Sequence, residues 1–144
     1  MIMKLILIFL VFFGFYFSTF AKENSFFDEA KKLYEEEKFE ESKFLFQRNI
    51  VYNPKHAKSY LYLAKIYKKE EDNSEEEKNI NTTLLLDPRN EEAMYLLIEI
   101  EIDRSNFSKA EELNNDFKKI CTTLCDKISS IDSRLKEFEK KDAS

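Results

Sequence analysis

The 144-residue sequence has one glycine, Gly14, and two prolines, Pro54 and Pro88. Gly14 lies in an apolar N-terminal run, so the remainder of the chain has no glycine at all. Tight β-hairpins, Gly-rich phosphate loops and dinucleotide-binding turns are excluded in practice. A single histidine, His56, and two cysteines leave too few ligands for a zinc site unless distant carboxylates converge. Acids outnumber bases by 28 to 23, giving a net charge of −5, and nucleic acid is not an expected partner. What is present is 35% charged and 15% aromatic sequence, the composition of an all-α protein with aromatics in its core.

The first residues follow the grammar of an export signal. Met1 to Lys4 carry one positive charge, Leu5 to Phe17 are apolar, and Ser18-Thr19-Phe20-Ala21 form a small-residue exit before Lys22. Cleavage after Ala21 is expected, leaving one small domain that is periplasmic or secreted. Since only Lys4 among the charged residues precedes Ala21, cleavage makes the chain one unit more negative. The alternative is an inner-membrane anchor formed by residues 5–20. As a helix these span about 24 Å, short of a hydrocarbon core of about 30 Å. With no cysteine at the cleavage point, a lipid anchor is not expected.

Internal repetition is the strongest organising signal. Asn53-Pro54-Lys55-His56-Ala57 and Asp87-Pro88-Arg89-Asn90-Glu91 place the two prolines 34 residues apart. At that period the chain divides into residues 22–56, 57–90 and 91–121, followed by 122–144. Each unit reads as two helices. In the first, Phe26, Ala30, Leu33 and Tyr34 make one apolar face, Glu37-Lys38 interrupts it, and Phe39, Phe44, Phe46 and Ile50 make the next. Pro54 closes the pair, because proline tolerates a helix boundary and not a helix interior.

This layout resembles the tetratricopeptide repeat. The second unit has Tyr60, Leu63, Ala64 and Tyr67 at helix A positions, Ile80 in helix B, and Asp87-Pro88 at its end. The third has Met94, Leu97 and Ile98, then Ser105-Asn106-Phe107-Ser108-Lys109-Ala110, close to the family's inter-helix turn and its alanine; the first has Glu37-Lys38-Phe39-Glu40-Glu41-Ser42. The resemblance implies an all-α, right-handed superhelix of about three helix pairs with a groove lined by the A helices. It departs from the family at three points. Glu37, Glu71 and Ser105 occupy the usual turn glycine, so each turn is expected to be helical or mildly strained. Glu76 falls where a small buried residue belongs, in the polar run Asp72 to Glu77, which puts the start of that helix B in question. The third unit has no closing proline. An unrelated bundle that buries every apolar face inward is the competing reading.

Leu124, Ile128, Ile131, Leu135 and Phe138 form one helical stripe. It is expected to cap the third repeat, the alternative being a dimer seam. Cys121 and Cys125 precede it. In an exported protein such a pair is expected to oxidise, free thiols being the alternative. An i, i+4 pair on a continuous helix matches disulfide geometry poorly, so a bond requires Thr122-Thr123 to be a turn. Thr123-x-x-Asp126 reads as a capping box for the last helix.

No catalytic constellation is evident. His56 lies in an inter-repeat turn with no evident nucleophile, and the glutamate runs Glu35 to Glu37 and Glu75 to Glu77 read as solvated faces. No enzymatic activity, cofactor, metal or small-molecule substrate is expected. In the register of the resemblance, the groove-facing positions are Phe27, Lys31 and Tyr34, then Lys58, Leu61, Lys65, Lys68 and Lys69, then Tyr95, Glu99 and Asp103. Four lysines beside aromatics suit a peptide or protein partner with an acidic side; a merely solvated face is the alternative. The chain is thus expected to be a monomeric protein-binding adaptor of the cell envelope, or else an oligomerising subunit using its last helix. It would touch a membrane only through an uncleaved N-terminal segment.

Overall fold

A computed structural model of the chain describes residues 26–142, with side chains described through Phe138. The expected signal peptide lies outside the described residues. Among those described there are α-helices and no strand: α1 (26–35), α2 (Phe39–Tyr52), α3 (Ala57–Lys69), α4 (Asn73–Leu86), α5 (Glu91–Asp103), α6 (Phe107–Ile120) and α7 (Lys127–Asp142). None of these helices is long and apolar enough to cross a membrane.

The turns from α1 to α2, α3 to α4 and α5 to α6 repeat one backbone pattern. Glu37, Glu71 and Ser105, each 34 residues from the next, sit at φ 60, 59 and 60°. Of the two expectations, helical or mildly strained, the second holds: all three residues are left-handed, a conformation that costs a side chain with a Cβ about 1–2 kcal/mol. At each, the left-handed residue donates its N–H three residues back, Glu37 to Tyr34, Glu71 to Lys68 and Ser105 to Ile102. The following residue donates five back, Lys38 to Leu33, Asp72 to Tyr67 and Asn106 to Glu101, at 2.8 to 3.0 Å. Together these bonds form a Schellman motif, which satisfies the orphan carbonyls of the preceding helix. Reversing the chain within three residues requires that geometry whatever side chain stands there.

The question over α4 is resolved by its cap: the Asp72 carboxylate accepts from the Glu75 N–H at 3.1 Å, and the helix begins at Asn73. At the other ends, Asn53 and Asp87 close α2 and α4 in matching conformations, φ −133 and −139° with ψ 78 and 84°, each donating its N–H four residues back at 2.8 Å. Pro54 and Pro88 then prevent either helix from continuing.

Burial follows the same period. Ala30, Ala64 and Ile98 are fully buried; so are Phe46 and Ile80, with Asn114 at 1%, and Asn49, Thr83 and Phe117 are at 2% or less. Ser42, Glu76 and Ala110 occupy one register, and Glu76 is buried there at 4% exposure. Leu63, Leu97 and Ile131 share another, so α7 carries the helix A pattern one step past the third pair.

The chain forms two compact units that divide inside α3, between Leu63 and Ala64. In the first, the Ser42 hydroxyl donates to the Ala30 carbonyl at 2.8 Å and ties α2 to α1. Its centre is an aromatic cluster in which Tyr62 stacks on Phe46 at 4.9 Å and meets Tyr34 edge-on at 5.1 Å. In the second unit α4 packs on α5, α5 on α6 and α6 on α7. Ile131 and Leu135 of α7 are buried at 1 and 8% exposure, and Phe138 stacks on Phe107 at 4.0 Å. The apolar stripe of the last helix is therefore used within its own unit, as a cap requires.

Candidate interaction surface

In the first unit, two of the expected groove residues belong to the aromatic cluster. Phe27 is half-buried against His56, Phe46 and Tyr62, with ring centroids at 4.6, 5.6 and 5.9 Å. Tyr34 is half-buried between Phe39 and Tyr62. Leu61 is corrected from groove to core: at 6% exposure it presents almost nothing to solvent. Lys58 and Lys31 are exposed, the latter within 3.6 Å of Glu35 one turn on. His56 has a structural role. Its Nδ1 lies 2.9 Å from the Ser59 hydroxyl, which is fully buried and accepts from Asn49 Nδ2 at 2.9 Å. A serine with no accessible surface cannot act as a nucleophile on a substrate, so the Ser59–His56 contact holds the start of α3 instead.

In the second unit, the A helices are laced by ion pairs. Lys65 of α3 reaches Glu92 of α5 at 2.7 Å, and Arg134 of α7 grips both oxygens of Glu99 on α5 at 2.7 and 2.8 Å. Arg134 also lies 3.6 Å from Asp103, and the Glu99 bonds hold its guanidinium in the charged form. Such a bidentate pair fixes geometry more strongly than a single contact. Lys68 lies 3.8 Å from the buried Glu76 Oε1, beyond hydrogen-bond distance. Burial raises the Glu76 carboxyl above the ordinary range, and Lys68 only partly offsets it. Lys69 is exposed, and Tyr95 is half-buried on α5. Among the lysines expected to meet a partner's carboxylates, Lys65 and Lys68 therefore already face carboxylates of their own unit.

One densely bonded carboxylate, that of Glu91, was not legible in the sequence. Cys121 and Cys125 are joined by a disulfide, with Cα atoms 5.4 Å apart, and the loop they close lies between α6 and α7. Its backbone N–H groups from Thr122, Thr123 and Leu124 all donate to the Glu91 carboxylate, at 2.8, 2.9 and 2.9 Å. The Thr122 and Thr123 hydroxyls donate to it as well. The expected capping box at Thr123 is corrected, because α7 begins only at Lys127 and Thr123 lies in the preceding loop. Led by the Thr122 hydroxyl bond, these donors hold the Glu91 carboxyl down to about 2. The one signal for this in the sequence is negative: Thr122 stands where the first two repeats have proline. Among the described residues, no group of three or more histidine, cysteine, aspartate or glutamate side chains is placed to hold a metal ion.

The fold is that of tetratricopeptide-repeat domains. The TPR2B domain of yeast Sti1, solved as a pHsp70 complex, superposes with a TM-score of 0.72 at 15% identity, covering 81% of this chain and 98% of that one. The type III secretion chaperone SycD of Yersinia enterocolitica, solved with a peptide of the translocator YopD, gives 0.69 at 13% identity over 83 and 93% of the two chains. The first TPR of RPAP3, bound to an HSP90 peptide, gives 0.69 at 12% identity over 86 and 95%. No protein-family model matches the sequence, and no curated protein matches it.

Proposed function

We propose that the protein is a non-enzymatic scaffold that binds a peptide or protein partner on the exposed face of its A helices and acts in the cell envelope after export. The observation that carries this reading is the repeat fold itself, whose structural neighbours SycD and RPAP3 were solved with a bound peptide and Sti1 as a pHsp70 complex. The envelope location rests on the signal-like order of residues 1–21. The part of the surface best suited to a partner is the lysine-rich end of α3 in the second unit, with Lys65, Lys68 and Lys69; Lys58 is a further exposed lysine of α3 in the first unit. Burial of Ile131 and Leu135 inside the second unit supports a monomer over an oligomer built on α7.

A crosslinked pull-down from the envelope fraction tests the reading. Wild type is compared with a variant carrying Lys58→Glu, Lys65→Glu, Lys68→Glu and Lys69→Glu, after equal helical content is verified by circular dichroism. A partner captured by wild type and lost in the variant is the expected result. Equal capture by both refutes the lysine face as the site.

A further inference from the structure

Comparison of the repeats with one another marks a second surface of opposite character. Where the later A helices place Leu63, Leu97 and Ile131, all buried, α1 has the exposed Glu29. Where the later B helices carry the exposed Lys78 and Glu112, α2 has Phe44, 60% exposed. The first departure makes that face of α1 polar. The second leaves a large apolar side chain mostly in water among the described residues.

These two positions meet in one open cleft of about 500 Å³ between α1 and α2, lined by Glu29, Leu33, Glu40, Glu41, Phe44 and Leu45. Its floor is Leu33, Phe44 and Leu45, and its rim is the carboxylates of Glu29, Glu40 and Glu41, of which Glu40 is paired with Lys43 at 3.2 Å, while no lysine or arginine lines the cleft itself. An apolar floor inside a rim of net negative charge selects both for an apolar anchor and for the opposite charge beside it. We infer that this cleft docks a partner segment carrying an aliphatic or aromatic anchor flanked by lysine or arginine. The charge complementarity excludes an acidic peptide of the kind the α3 lysines suit, so the two surfaces hold different partners. The site is independent of the α3 face and stands or falls separately from it.

Amide chemical-shift mapping on 15N-labelled protein, purified in the form its exporting host produces, tests the inference with two probe peptides. One is a 14-residue amphipathic helix of leucine and lysine, the other its leucine and glutamate counterpart. The leucine–lysine peptide is expected to bind saturably, with shifts concentrated in residues 29–45, and the acidic peptide at least tenfold more weakly. Phe44→Ser, at an exposed site where the fold is expected to tolerate it, is expected to weaken binding at least tenfold. The α3 lysine variant is expected to leave it unchanged. Shifts dispersed over the acidic surface, equal binding of both peptides, or full binding by Phe44→Ser overturns the proposal. So do concentration-dependent shifts in residues 29–45 without any peptide, which would make the occupant a second copy, and contacts from residues 1–25 onto Phe44, which would make it this chain.

Discussion

Replacing Glu37, Glu71 and Ser105 with glycine tests the repeat geometry at its most exposed point. All three residues sit near φ 60° and are solvent-exposed, so their side chains contribute little packing that glycine would forfeit. A Cβ in left-handed backbone costs about 1–2 kcal/mol, which glycine removes. Against this, glycine gives the unfolded chain more freedom, a loss of about 0.5–1 kcal/mol. The net is a stabilisation of about 0.5–1 kcal/mol per turn, and since the turns share no partners the triple variant gains about 2 kcal/mol. For a domain of this size that corresponds to a rise in Tm of about 8 °C. Thermal unfolding followed at 222 nm, with Glu71→Ala as a control that keeps the Cβ, reads the effect directly. The control is expected to move Tm little. An unchanged or lowered Tm in the triple variant would falsify the assignment of left-handed turns, because no other term of this size is removed.

Two further outcomes depend on pH. The Glu91 carboxyl is held at about 2 in the folded protein against an ordinary 4.5, so its bonds stabilise the fold fully above about pH 4.5 and less as pH falls toward 2. The Tm difference between wild type and Glu91→Gln is therefore expected to be constant above pH 5 and to shrink between 4.5 and 2; a difference that persists undiminished at pH 2 refutes the carboxylate's role. Glu76 has the opposite sign: burial raises its carboxyl, so ionising it costs stability as pH rises above its ordinary value of 4.5. Glu76→Gln is expected to stabilise by about 1 kcal/mol at pH 7 and to be neutral near pH 4 in chemical denaturation, and a variant less stable than wild type at both values refutes the penalty.

The architecture was legible because the forces that set it act at fixed spacing. Prolines at 54 and 88, apolar faces in the A helices and a stripe from Leu124 to Phe138 each register burial along the chain, and burial is what a repeat conserves from one unit to the next. The same spacing located the turns at Glu37, Glu71 and Ser105 but not their backbone conformation. Propensity argued against left-handed glutamate, and the closing geometry of two packed helices overrode it. The binding surface was less legible for a related reason. Whether Lys65 is available depends on Glu92 standing 2.7 Å away on another helix, and Leu61 is core or groove according to a rotation of α3 that its own sequence does not fix.

The junction after α6 shows how one departure from the repeat pattern accounts for the next. In the first two units a proline follows the helix B cap and stops the helix by having no N–H to give. At the corresponding position the third unit has Thr122, whose N–H is the first of three aimed at Glu91. A proline there would delete that donor together with the Thr122 hydroxyl. The chain must then be turned by other means, and the Cys121–Cys125 bond closes the loop that presents the three N–H groups side by side. A carboxylate bound by consecutive backbone N–H groups occupies a ready-made anion nest. Since Glu91 opens α5 and the nest opens the path to α7, the contact fastens the entry of the capping helix to the A helix of the repeat it covers. Proline, absent from this one turn, is what the contact could not have tolerated.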